Sequence, residues 1–98
     1  MTFWKLNMVV AKIRNGKRWI EETAKKIATE YHQSIDNLKW KVGKKGIEDE
    51  MYSLVFSIEK VRYVQVFREE DLSDLPQKAD IKMKVERRLR DLMKSIIS

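Results

Sequence analysis

The sequence predicts an α+β fold, a three-stranded antiparallel β-meander flanked by amphipathic helices in the order helix, helix, three strands, helix. Three observations carry that prediction. Residues 17–33 and 81–96 repeat apolar side chains at helical spacing, whereas residues 38–68 alternate apolar and polar side chains. The 98 residues are 43% hydrophobic and 37% charged, enough for one core and one solvated shell, so residues 1–98 read as a single small domain. With Gly 3 and Pro 1 there is no stretch that could serve as a flexible linker.

The opening segment, Thr2 to Arg14, fits two readings. As a helix it places Phe3, Leu6, Val10 and Ile13 on one stripe; as a strand it places Trp4, Leu6, Met8 and Val10 on one face. Helix is the preferred reading, and Asn15-Gly16 then breaks it. From Lys17 to Gln33 a second helix follows, with Ile20, Ala24, Ile27, Ala28 and Tyr31 inward and Glu21, Glu22, Lys25, Lys26 and Glu30 outward. The pairs Glu21–Lys25 and Glu22–Lys26 have the favourable i,i+4 orientation, adding about 0.2–0.5 kcal/mol each.

Leu38, Trp40 and Val42 alternate with Lys39 and Lys41, as a half-buried strand requires. Gly43 to Gly46 and the acids Glu48, Asp49 and Glu50 form the first turn. The second strand sets Tyr52, Leu54, Phe56 and Ile58 against Ser53, Val55 and Ser57, and the third runs from Val61 to about Arg68. A two-residue turn at Glu59-Lys60 brings Phe56 opposite Tyr63, Tyr52 opposite Phe67 and Ile58 opposite Val61. That register collects the aromatic rings on one face, where cross-strand pairs bury the most area; a one-residue slip would scatter them. Glu69 to Pro76 leads into the last helix, with Ser73 or Asp74 as N-cap and the acids complementing the helix dipole. Ile81, Val85, Leu89, Leu92 and Ile96 form its core stripe.

Several kinds of chemistry are disfavoured. Cys 0 removes disulfides, thiolate nucleophiles and thiolate-bound metals. His32 is the only histidine, and no spacing supplies it with a nucleophile and an orienting carboxylate. Three scattered glycines make neither a P-loop nor a dinucleotide loop. The acids 48–50 and Glu69, Glu70, Asp71 and Asp74 admit a metal-dependent nuclease only as a minor alternative, since a turn and a helix start account for them. No enzyme, cofactor, metal or small-molecule substrate is expected. No apolar run reaches the ~18–20 residues of a bilayer span, and the chain is expected in the cytoplasm.

The basic residues carry more information. Twenty-one Lys and Arg against 15 Asp and Glu give a net charge of +6. Lys39, Lys41, Lys44 and Lys45 crowd one hairpin, and Arg62 and Arg68 fall on the same outer sheet face by parity. Lys82, Lys84, Arg87, Arg88 and Arg90 form a second group on the last helix. Such a surface suits a phosphate backbone, so a nucleic acid is the expected partner, with Lys39, Lys41, Lys44, Lys45, Arg62 and Arg68 as contacts. The alternative is a protein-interaction or assembly subunit. Val55, Val64 and Val66 form an apolar stripe on that outer face, to be covered by the N-terminal segment with Phe3 and Trp4 or by a second subunit in a homodimer. In element order, residues from Lys17 onward are similar to double-stranded-RNA-binding domains, which also run helix, three strands, helix. The lysine cluster those domains carry at the start of the last helix is replaced here by the acidic stretch Glu69 to Pro76.

Overall fold

The computed structural model describes residues 3–44, 50–75 and 77–97, with side chains at 11–42, 51–75 and 77–97. Its elements are α1 (Phe3–Glu30), β1 (Asp36–Lys44), β2 (Glu50–Ile58), β3 (Val61–Arg68), α2 (Glu69–Asp74) and α3 (Ala79–Ile97). The fold is α+β. The order differs from expectation: one long helix precedes the sheet and two helices follow it.

The expected break at Asn15-Gly16 does not occur, and α1 runs unbroken for 28 residues. Gly16 is buried in mid-helix, and a Cβ placed there would lie 2.0 Å from the Leu72 carbonyl oxygen. This glycine marks a close approach of two backbones, which α2 fills. The segment read as a lead-in to the last helix is thus a helix of its own, and it drives Leu72 and Leu75 fully into the core. Glu69, Glu70 and Asp71 occupy its first turn, where the unsatisfied backbone N–H groups favour negative charge. The expected caps, Ser73 and Asp74, therefore end up at the far end of α2; the Asp74 carbonyl accepts from the backbone N–H groups of Gln77 and Lys78.

α1 ends in a Schellman turn: the Gln33 N–H donates to the Ala28 carbonyl at 2.8 Å and the His32 N–H to the Thr29 carbonyl at 3.0 Å. His32, with φ 59°, holds the left-handed position that glycine normally fills. The sole histidine is thus exposed at a helix terminus, in a structural role. We expect His32→Gly to raise stability by roughly 1 kcal/mol, read by chemical denaturation, because it removes the Cβ penalty of that conformation. A loss of similar size would mean that the imidazole makes an interaction the turn needs.

The sheet has the order β1-β2-β3, antiparallel throughout. Phe56 pairs with Tyr63, Tyr52 with Phe67 and Ile58 with Val61, as the alternation predicts. Glu59 and Lys60 both have positive φ, 52° and 69°, which is the type I′ geometry that matches strand twist even without glycine. In β1 the register shifts between Asp36 and Lys39, and Asn37 has φ 55°: one extra residue bulges there.

All three helices contribute to a single buried cluster with one face of the sheet. Tyr52, Leu54, Phe56, Ile58 and Phe67 meet Ile13, Ile20, Ala24, Ile27 and Ala28 of α1, Leu72 of α2, and Val85, Leu89 and Met93 of α3. Trp40 and Leu92, expected inside, are only half-buried at its margin, and Val42 is exposed. Phe56 stacks on Tyr63 with centroids 6.0 Å apart, and Trp40 tilts toward Phe67 at 5.9 Å. Lys17 of α1 sits over the rings of Tyr52 and Trp40, and the Trp40 indole N–H donates to Glu21 at 2.8 Å, fixing the helix on the sheet. None of the described helices is long and apolar enough to cross a membrane.

Candidate nucleic-acid interface

Because the helices pack on one sheet face, the other is left open. The register orders it in rows: Lys39 across from Val55 and Val64, Lys41 across from Ser53 and Val66, Asp36 across from Ser57 and Arg62, and Met51 across from Arg68. Val55 is only 5% exposed but lies outside the core cluster, sheltered at the centre of the sheet. Val64 and Val66 are 47% and 38% exposed, so the expected N-terminal cover over them is not formed. The side chains of Phe3 and Trp4 lie outside the described residues.

Four of the six expected phosphate contacts share this face. Lys39, Lys41 and Arg62 are exposed and make no ion pair with any described residue. Arg68 is on the same face but lies 3.4 Å from Glu70, which competes for its charge. Lys44 pairs in backbone register with Glu50, and its side chain and all of Lys45 lie outside the described residues. Among the described residues, Asp36 is the acid in these rows, two strand spacings from Arg62, or about 10 Å.

The second basic group does not join them. Arg88 donates to the Val66 carbonyl at 2.6 Å and to the Gln65 side chain at 2.9 Å, with its guanidinium 4.6 Å from the centre of the Phe67 ring. It closes the free edge of β3, a role that edge strands require. Burial pushes its pKa below the usual arginine value, and Asp71 pulls the other way. Arg90 is held by Glu30 at 2.8 Å and Glu86 at 3.1 Å, linking α3 to the end of α1. The hydrogen bond from Arg90 holds the Glu30 carboxyl below the usual carboxylate range, and the Glu30 and Glu86 bonds raise the pKa of Arg90 in turn. Neither role is legible in sequence, since Glu30 and Arg90 are 60 residues apart.

No constellation for catalysis assembles among the described residues. No three of their His, Asp or Glu side chains could hold a metal, and Glu48 and Asp49 lie outside them. A groove of about 430 Å³ along α3 is lined by Met83, Glu86, Arg87, Arg90, Asp91 and Lys94, with Arg90 already ion-paired. A second, of about 350 Å³, lies between Ile13, Arg14 and Lys17 of α1 and Val42 and Tyr52 of the sheet. Comparison with family models, curated proteins and solved structures gives no match.

Proposed function

We propose that the protein is a small, non-enzymatic nucleic-acid-binding module that holds the phosphate backbone against its open sheet face. One observation carries the reading: Lys39, Lys41 and Arg62 stand together on a face that no helix covers, without carboxylates bound to them among the described residues. Cations placed in this way bind a polyanion chiefly by releasing its counterions.

Salt dependence tests it. Fluorescence anisotropy with labelled nucleic acid should give affinity that falls steeply with salt. Changing Lys39, Lys41 and Arg62 together to alanine should flatten the log–log slope by about 2–3 units, close to 0.9 for each phosphate no longer neutralised. All three are exposed, so the thermal melt should not move. A second reading, docking of a protein partner, is favoured by the exposed Val64 and Val66 on β3 of the same face. Absence of binding at low salt would remove the first reading and leave the second.

A further inference from the structure

We infer that the open face seats in the major groove of duplex DNA, with β2 over the base edges and the cations of β1 and β3 on the two flanking backbones. This rests on the phosphate-binding reading above and adds the kind of nucleic acid and the groove.

Width is the first argument. Strands lie about 4.8 Å apart, so β1 and β3 are separated by roughly 10 Å across β2. The major groove of B-DNA is about 12 Å wide and the minor groove about 6 Å, so outer strands roughly 10 Å apart exceed the minor groove but match the rims of the major groove, with the central strand between them. The second argument is the distribution of side-chain length. Along the open face the central strand carries Met51 at one end and then Ser53, Val55 and Ser57, three side chains short enough for its backbone to approach base edges. The long cations are on the outer strands, Lys39 and Lys41 on one side and Arg62 and Arg68 on the other, within reach of phosphates, Arg68 only in exchange for its ion pair with Glu70. Lysine and arginine at both margins, set against the one carboxylate of Asp36 on β1 among the described residues, and mostly small neutral groups between them complement a groove bordered by two phosphate chains.

What the face lacks selects against other nucleic acids. Trp40, Tyr52, Phe56, Tyr63 and Phe67 all occupy the helix-covered face by register, so the described open face offers no ring on which a splayed base could stack. Single-strand binding depends on such platforms. Double-stranded RNA has a major groove too deep and narrow for side chains to read. Serine hydroxyls can donate or accept at any base pair and valine methyls favour thymine methyls, so sequence preference should be weak.

The test compares four probes by anisotropy on the full chain: a mixed-sequence DNA duplex, its single strand, the equivalent RNA duplex, and the DNA duplex with glucosylated hydroxymethylcytosines filling the major groove. The plain DNA duplex should bind at least about tenfold tighter than each of the others, the loss expected when the groove is blocked or has the wrong shape. Netropsin in the minor groove should leave that affinity unchanged. Equal affinity for single strand or RNA duplex, or full affinity for the groove-filled duplex, overturns the inference. If the Lys39, Lys41 and Arg62 triple variant still loses its salt slope in that case, the phosphate-binding reading stands without it. If nothing binds, or the triple variant binds like the parent, both fall.

Discussion

Replacing Phe56 by alanine is expected to cost about 3–5 kcal/mol of stability, through lost burial and the cavity left behind. The ring is fully buried on the central strand, stacks on Tyr63 and belongs to the cluster that joins the sheet to the helices. A domain of this size has roughly 5–15 kcal/mol in total, so the variant should sit near the edge of folding at ambient temperature. Urea denaturation measures it: the midpoint should fall sharply with the slope nearly unchanged. A loss below about 1 kcal/mol would place the ring at a site able to collapse around it, contrary to the packing described.

Replacing Gly16 by alanine should destabilise the fold even though alanine is the better helix former. In an exposed helix interior the exchange gains about 1 kcal/mol. Here the new methyl group would lie 2.0, 2.8 and 3.0 Å from the O, C and Cα of Leu72, all backbone atoms that cannot rotate away. α2 must shift, and Leu72 and Leu75 with it, so a net loss of about 1–3 kcal/mol is expected. Asn15→Ala, one residue away and exposed, supplies the control, because it should gain several tenths of a kcal/mol from propensity alone. If both variants stabilise alike, α2 does not rest on Gly16.

That glycine also locates the limit of what sequence could say. Asn-Gly is a strong local turn signal, and here it is overridden by close packing against a residue far along the chain. The short α2 is hidden for a related reason: its acids and serine fit helix capping equally well, and only tertiary packing makes Leu72 and Leu75 core residues. The bulge at Asn37 leaves no trace in the alternation of Leu38, Trp40 and Val42. By contrast, the β2–β3 register is fully legible, because strict period-two alternation and a two-residue turn agree at every pair. The same parity places Lys39, Lys41, Arg62 and Arg68 together. It cannot reveal that Arg88 is engaged with β3 and Arg90 with Glu30, since those partners come from distant segments; only the Arg90–Glu86 pair is local, four residues apart on one helix.

The seat of Leu72 against Gly16 has a consequence for how the chain acquires its shape. The β2–β3 hairpin closes locally, between neighbours, and can form early. The apolar stripe of α1, by contrast, has its partners in β2, α2 and α3, all of which come later in the chain. During synthesis at about 5–20 residues per second, that stripe leaves the ribosome seconds before Leu72 emerges to cover it. Ile20, Ala24 and Ile27 are therefore bare for an interval set by translation speed, and α1, made before the elements that cover it, is among the last to be enclosed.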